Sequence, residues 1–148
     1  MDKKYRVDHI GFIVHDVDKT ASKLGILLGI EDWHIETLGP PALCDMTFRG
    51  KKSDHSFRYG IGRMNGIGIE LLMPVKGESV YSEFLREKGE GMHHICLLFP
   101  TEEELEKARE ELINAGGELI QSGRVEGEAP YYYVEQGGVV LDLWSRRQ

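Results

Sequence analysis

Apolar positions along the first half of the chain predict one amphipathic helix set among short strands. Residues 5–14 have the apolar character of a strand. The apolar residues that follow recur at helical spacing between Asp16, a predicted N-cap, and Gly29, which ends the helix. Further strands are predicted at residues 33–38, 43–49, 57–63 and 67–73. The Asn65-Gly66 turn joins the last two as a hairpin, and Pro74 ends the second of them.

The second half of the chain repeats this order after a linker helix. Ser79 is the predicted cap of that helix and Gly89 ends it. A strand is then predicted at residues 92–99, and Thr101 begins a capping box for a longer helix that ends at Gly116-Gly117. The remaining strands are predicted at residues 118–121, 131–135 and 139–144, with a Gly137-Gly138 hairpin turn between the last two.

A short sequence motif that contains histidine begins an apolar strand in each half of the chain. Asp8-His9-Ile10 returns as His93-His94-Ile95, which pairs His9 with His94. Because side chains alternate along a strand, we expect His93 and His94 to face opposite sides of the sheet, with His93 structural. Three other histidines have no partner in the repeat and are interpreted as surface or turn residues: His15, His34 and His55.

An acid lies four residues after a turn glycine near the end of each half, and this pairs Glu70 with Asp142. A carboxylate within an apolar strand is costly to bury without a partner. Either these residues lie on a solvated sheet face, or a positive group meets them. Two histidines and two acids at equivalent positions of a repeat favour the second interpretation. Two nitrogen and two oxygen donors suit a divalent ion such as Zn, Mn, Fe, Co or Ni.

Composition limits the kind of protein that this chain can be. Its 148 residues are 41% apolar and 29% charged, as in one globular domain. No apolar run approaches the ~20 residues of a membrane span and no signal-peptide core is present, so we expect a cytoplasmic protein. Cys44 and Cys96 are predicted to be buried thiols. The formal charge of −7 argues against a nucleic-acid-binding protein.

The repeated histidine and acid motifs around His9, His94, Glu70 and Asp142 resemble those of the vicinal oxygen chelate superfamily. This superfamily is the group of glyoxalases, bleomycin-resistance proteins and extradiol dioxygenases. The Gly89-Glu90-Gly91-Met92-His93-His94-Ile95 stretch and the linker at residues 74–88 are most similar to the methylmalonyl-CoA epimerase branch. The resemblance implies an α+β fold in which two βαβββ modules form a cupped mixed sheet around one metal. Residues 1–148 would form a single domain, with module one at about 5–75, a linker helix at about 77–89 and module two at about 90–145.

The resemblance also implies the residues of the site. The metal ligands of the family fall on His9, Glu70, His94 and Asp142, around one divalent ion (Zn, Co, Ni, Mn or Fe). An acid of the epimerase branch falls on Asp45, which would form an acid–base pair with Asp142 during α-proton removal and return. Both acids are Asp where that branch has Glu, which shortens each by one methylene. Alternation in residues 43–49 places Asp45 on the same face as Leu43.

The substrate implied is a small molecule, a thioester or a hemithioacetal, and the family implies a homodimer without nucleic-acid or membrane partners. Three alternatives to an acyl-CoA epimerase stay open: a lactoylglutathione-lyase-like isomerase, a non-catalytic drug-binding protein and an extradiol dioxygenase. The presence of all four ligand positions weighs against the binding protein. Tyr131-Tyr132-Tyr133 is interpreted as sheet packing, although these residues could line a pocket.

Overall fold

The computed structural model describes residues 4–146, whose strands form one curled sheet of ten strands in the order β2-β5-β6-β1-β7-β10-β9-β8-β3-β4. The strands are β1 (Arg6–Ile13), β2 (His34–Leu38), β3 (Leu43–Phe48), β4 (Lys51–Lys52), β5 (Ser56–Met64), β6 (Ile67–Lys76), β7 (Gly91–Phe99), β8 (Glu118–Val125), β9 (Pro130–Gln136) and β10 (Val139–Ser145). The helices are α1 (Val17–Leu28), α2 (Val80–Lys88) and α3 (Glu102–Asn114).

The two halves of the sheet have the same topology. Strands β1 and β7 are antiparallel neighbours at its centre, and each has a parallel partner on its other side, β6 for β1 and β10 for β7. The sheet continues through β5 to β2 on one side and through β9 to β8 on the other. This arrangement confirms the predicted α+β fold of two similar modules.

One hairpin departs from this symmetry. Strands β3 and β4 lie within the first module in sequence, between β2 and β5, yet β3 pairs with β8 of the second module. Leu43 and Met46 of β3 thereby pack in one core cluster with Leu72 of the first module and Tyr133 of the second. The hairpin therefore joins the two halves across the cup.

The predicted helix caps are present. The side chains of Asp16, Ser79 and Thr101 each accept a hydrogen bond from a backbone N–H of the first turn, and Gly29 ends α1 in the left-handed conformation. None of the helices within residues 4–146 is long and apolar enough to cross a membrane.

The predicted end of β6 was wrong. The strand passes through Pro74 to Lys76 while it pairs with β5. Strand β1 ends at Ile13, opposite Leu72, so that beyond this point β6 has a strand neighbour on one side only. Proline lacks an N–H and is tolerated where a strand edge needs no hydrogen bond.

Candidate functional site

The two histidines that were predicted as ligands, His9 and His94, lie on the two central strands, and each follows the extra residue of a bulge. On β1, Val7 pairs with Leu97 and His9 with Cys96, so Asp8 is an extra residue in the ladder. On β7, Gly11 pairs with His94 and Phe12 with Met92, which makes His93 the extra residue. A bulge interrupts the alternation of side chains, because two residues oppose one on the partner strand.

These bulges correct the expectation that His93 faces away from His94. The two Nδ1 atoms lie 2.9 Å apart, and both side chains are buried. In the same way the Asp8 carboxylate lies 2.9 Å from Nδ1 of His9. His9 and His94 are thus each held at Nδ1 by the residue before them, and their Nε2 atoms are directed elsewhere.

Both Nε2 atoms meet the paired acids of the repeat. Glu70 Oε1 lies 3.3 Å from His9 Nε2 and 3.4 Å from His94 Nε2. Asp142 Oδ2 lies 3.8 Å and 3.9 Å from the same two nitrogens. Bonds of about 2.1 Å to a single ion place adjacent donors about 3.0–3.4 Å apart. The spacing of the four side chains is therefore close to that of a ligand set.

Three polar atoms of this cluster lack hydrogen-bond partners. Among the described residues, His9 Nε2, His94 Nε2 and Asp142 Oδ1 are buried polar atoms without one. Ligand atoms of His9, His94 and Asp142 all lie within 4.8 Å of one another. Unpaired buried polar groups destabilise a fold by about 1–3 kcal/mol each. A divalent cation would satisfy these groups together, so the residues fit the metal that the family implies.

The cluster also has the electrostatics of a cation site. Burial alone would raise the pKa of Glu70, but His9 and His94 outweigh it and hold that pKa well below its usual range. Burial alone would lower the pKa of His9, but Glu70 and Asp8 raise it well above its usual range. Burial raises the pKa of Asp142 to about 6, against the attraction of the two histidines. In the metal-free protein, a proton on His9 therefore offsets part of the negative charge of Glu70.

Asp8 is itself held in place by Arg63. Arg63 Nη2 donates to Asp8 Oδ1 at 3.1 Å, and its Nη1 donates to the Asp8 carbonyl oxygen at 3.3 Å. A hydrogen bond from His9 and the Arg63 charge lower the pKa of Asp8 to about 2, despite burial. Asp8 is thus an anion beneath the site, where it can accept a hydrogen bond from His9.

Gly11 makes room for the His94 side chain. It pairs with His94 across β1 and β7, and a Cβ at position 11 would overlap the His94 imidazole. Only glycine allows the ring to lie against the β1 backbone at this point.

The structure places Asp45 outside the site. Its side chain is 69% exposed and accepts two hydrogen bonds from Arg124, at 3.1 Å and 2.5 Å. The pairing of β3 with β8 slips by one residue between Cys44 and Thr47, and Asp45 has a φ of 52°. The irregularity turns Leu43 into the cup and Asp45 out to solvent, so alternation did not predict its face. This geometry does not support a role for Asp45 as a base.

The cluster opens into a cavity of about 330 Å³. Apolar residues form much of its wall: Leu38, Leu43, Phe57, Ile61, Leu72, Val125 and Trp144. Tyr131 and Tyr133 also line it, which was the less favoured of the two interpretations of these residues, whereas Tyr132 donates a hydrogen bond to Glu106 and does not line the cavity. Tyr131 and Tyr133 are two residues apart on β9 and therefore share one face of the sheet. This spacing was the signal in the sequence that both could line the same cavity.

A sequence model described as the glyoxalase/bleomycin resistance protein/dioxygenase superfamily matches residues 8–134. A relative of Bacillus subtilis (strain 168), the uncharacterized protein YqjC, is 27% identical over 93 residues, which are 63% of this chain and 56% of that protein. The match thus spans little more than half the length of that relative.

Similar solved structures include two methylmalonyl-CoA epimerases. The enzyme from Mycobacterium tuberculosis is 21% identical, with a TM-score of 0.69 over 96% of this chain and 88% of that chain. A Streptomyces coelicolor epimerase in complex with 2-nitronate-propionyl-CoA is 21% identical, with a TM-score of 0.70 over 95% of this chain and 94% of that chain. At this level of identity the likeness shows a common fold.

Proposed function

Because the chain belongs to the glyoxalase/bleomycin resistance protein/dioxygenase superfamily, we propose that it is a divalent-metal-dependent enzyme. It would stabilise the enolate that forms when a small substrate loses an α-proton. The reaction that we propose first is epimerisation of an acyl-CoA of the methylmalonyl-CoA type. The observation that carries the proposal is the pair of unpartnered Nε2 atoms of His9 and His94, which face the Glu70 and Asp142 carboxylates.

His9, Glu70, His94 and Asp142 would hold the ion through two imidazole nitrogens and two carboxylate oxygens. This donor set suits Zn, Co, Ni, Mn or Fe, and six-coordination would leave two positions for vicinal substrate oxygens. When bound, such an ion supplies Lewis-acid stabilisation of the oxygens on which negative charge develops.

The other residues of the cavity position the reaction. Asp8 orients His9 through Nδ1, and Arg63 holds Asp8. Leu43, Leu72 and Trp144 line the same cavity, where their apolar side chains would contact the acyl group. Asp142 lines the cavity, and its carboxylate is the group that we propose to accept that proton.

The size of the cavity supports a small acyl group. A volume of about 330 Å³ lies at the lower end of ligand pockets, so a bulky thiol carrier such as CoA would extend outside it. The two epimerases of similar fold act on an acyl-CoA by name. A homodimer stays a prediction from the family resemblance.

The proposal is tested by α-proton exchange in D₂O. Protein loaded with Co²⁺ or Mn²⁺ is incubated with methylmalonyl-CoA, and loss of the α-proton signal is followed by NMR. We expect exchange with the wild type, loss of exchange with His94→Ala, and no change with His34→Ala, whose side chain is exposed and lies outside the cluster. A metal-loaded wild type that exchanges neither methylmalonyl-CoA nor a hemithioacetal would overturn the enzyme proposal.

The position of Asp45 favours a second candidate, a lactoylglutathione-lyase-like isomerase. Epimerisation by two bases needs an acid on each side of the α-carbon, and Asp45 lies outside the cavity. Transfer of a proton between adjacent carbons on one face needs a single base, which Asp142 could provide. Exchange with the hemithioacetal of methylglyoxal and glutathione, without exchange of methylmalonyl-CoA, would identify this reaction.

A further inference from the structure

One tyrosine of the cavity wall is hydrogen-bonded to a carboxylate that reaches solvent. Tyr59 lines the cavity from β5, and its hydroxyl donates to Oε1 of Glu36 on the neighbouring strand β2 at 2.7 Å. The two residues are direct cross-strand partners, so their side chains lie on the same face of the sheet. Oε2 of Glu36 lies 3.5 Å from the exposed His34, and 44% of the Glu36 side chain is itself exposed. A phenol in the cavity wall is thus connected to the outside by one carboxylate.

Tyr59 and Asp142 reach the cavity from different halves of the sheet. Strand β10, which carries Asp142, lies beyond β7 on one side of β1, whereas β5 lies beyond β6 on the other side. On the β5 side, Tyr59 pairs with Leu72 and Ile61 pairs with Glu70. The backbone of Tyr59 is therefore about 5 Å across the strands and about 7 Å along them from that of Glu70. The two side chains flank the histidine–carboxylate cluster.

The other ionisable groups of the wall outside the cluster, among the described residues, are in different surroundings. The hydroxyls of Tyr81 and Tyr133 lie 3.0 Å apart, in side chains that are almost completely buried, and they bond each other. The Tyr131 hydroxyl is enclosed by protein. Glu128 is exposed on the turn between β8 and β9. Tyr59 alone of these four tyrosines and one acid is half-buried and bonded to a carboxylate.

The Tyr59 phenol keeps its proton at neutral pH. Burial raises the pKa of Tyr59 well above its usual range, and the hydrogen bond to Glu36 raises it further. A phenol of this kind can take a proton from a substrate only while its own proton passes to another base. Glu36 accepts the hydrogen bond from the hydroxyl and is therefore placed to be that base.

We propose that Tyr59 is the second proton-transfer residue of the reaction, with Glu36 as the group that receives its proton. This inference rests on the proposed function and gives the α-carbon a proton carrier on the side that Asp45 leaves empty. The C–H bond at the α-carbon breaks and its electron pair passes into the enolate. The released proton bonds to the Tyr59 oxygen as the phenol proton moves to Glu36. In the opposite direction, Glu36 returns its proton to the phenol oxygen while the phenol proton bonds to the α-carbon.

Two carriers on opposite faces predict that exchange and inversion can be separated. Each epimer of methylmalonyl-CoA is incubated in D₂O with Co²⁺-loaded protein. Exchange of the α-proton is followed by NMR, and inversion is followed with a coupled enzyme that consumes one epimer. The wild type should invert both epimers. Tyr59→Phe should invert them about 100-fold more slowly or less, yet exchange the α-proton of the one epimer that faces Asp142 at about the wild-type rate.

Two further variants make the test specific. Glu36→Gln keeps an oxygen that accepts the Tyr59 hydrogen bond but is a far weaker base, so it should slow inversion about tenfold or more. Tyr132→Phe is the matched control, because its hydroxyl also donates to a glutamate, Glu106, and it does not line the cavity. Inversion and exchange by Tyr132→Phe should both stay within about twofold of wild type. A general loss of structure in Tyr59→Phe would reduce the exchange of both epimers equally.

Inversion at the wild-type rate in Tyr59→Phe would overturn the inference, as would equal loss of exchange for both epimers. Loss of inversion in Glu128→Gln, with none in Tyr59→Phe, would assign the proton to the exposed turn instead. A wild type that exchanges one epimer without inverting it would reject the role of Tyr59 and retain the enolate chemistry. A wild type that exchanges neither epimer would reject the acyl-CoA reaction and this inference with it.

Discussion

The Asp8 carboxylate lies 2.9 Å from Nδ1 of His9, although the two residues are adjacent on one strand. The bulge at Asp8 makes this contact possible, because it turns both side chains to the same side of β1. The equivalent bulge brings His93 against His94. The two halves of the chain thus orient their histidines by the same backbone device, once with a carboxylate and once with an imidazole.

Asp8→Asn is predicted to weaken metal binding. The substitution keeps the size of the side chain and removes the charge that orients His9, and loss of such outer partners costs about 10- to 100-fold in affinity. Competition with a coloured chelator for Co²⁺ measures the effect. Asp18→Asn is the control, since Asp18 forms an exposed pair with Arg58 at 2.7 Å. Equal affinities in Asp8→Asn and wild type would show that Asp8 does not support the site.

Gly11→Ala is predicted to displace the His94 ring. The added methyl group would occupy the space of the imidazole, so metal affinity should fall by about tenfold or more and stability by about 1–3 kcal/mol. Gly91→Ala is the matched control, because a Cβ there meets no atom within 4 Å. The same chelator competition and urea unfolding compare the two variants. A Gly11→Ala protein with wild-type affinity would contradict the position of His94 in the site.

Asp45→Asn is predicted to leave the α-proton exchange rate within about twofold of wild type. Its carboxylate pairs with Arg124 at the surface, and an exposed pair of this kind stabilises a protein by about 0–1 kcal/mol. Asp142→Asn, by contrast, should reduce exchange strongly. An α-proton exchange rate about tenfold lower in Asp45→Asn than in the wild type would indicate that Asp45 takes part in the reaction.

Acid is predicted to destabilise the protein in part through His55. This histidine is fully buried, contrary to its interpretation as a surface or turn residue, and its Nδ1 lies 2.8 Å from Ser53 Oγ. Burial lowers the pKa of His55 below the ordinary value of 6.5. Below about pH 6.5 the unfolded chain therefore binds a proton that the native state does not, and stability falls by up to about 1.4 kcal/mol for each pH unit until the folded pKa is reached.

Urea unfolding between pH 5 and 8 tests this dependence. The His55→Gln variant should lose less stability than wild type as the pH falls through this range, whereas His15→Gln, an exposed control, should follow the wild-type curve. Parallel curves for wild type and His55→Gln would assign the acid sensitivity to other groups.

Much of the fold could be predicted because its signals are local or repeated. The caps Asp16 and Ser79 and the Asn65-Gly66 turn act through neighbouring residues, and the structure has each of them. The pairing of β3 with β8 could not be predicted, because no local pattern specifies which distant edge a hairpin joins. The family resemblance implied a cupped sheet but not this register.

The candidate site also has a part that could be predicted from sequence and a part that could not. The repeat identified His9, Glu70, His94 and Asp142, and the structure brings these four together. The predicted sheet faces of His93 and Asp45 were both wrong, because the alternation of side chains fails wherever a strand carries an extra residue. Such bulges leave little trace in the sequence.

The most direct test of the account is the metal content of tag-free protein. The wild type and His94→Ala would be incubated with Zn²⁺, Mn²⁺, Co²⁺ or Ni²⁺, dialysed and analysed for metal. The account predicts about one divalent ion per chain in the wild type, as in a single four-ligand site, and its loss in the variant. No retained metal in the wild type, or equal retention in both proteins, would contradict the site.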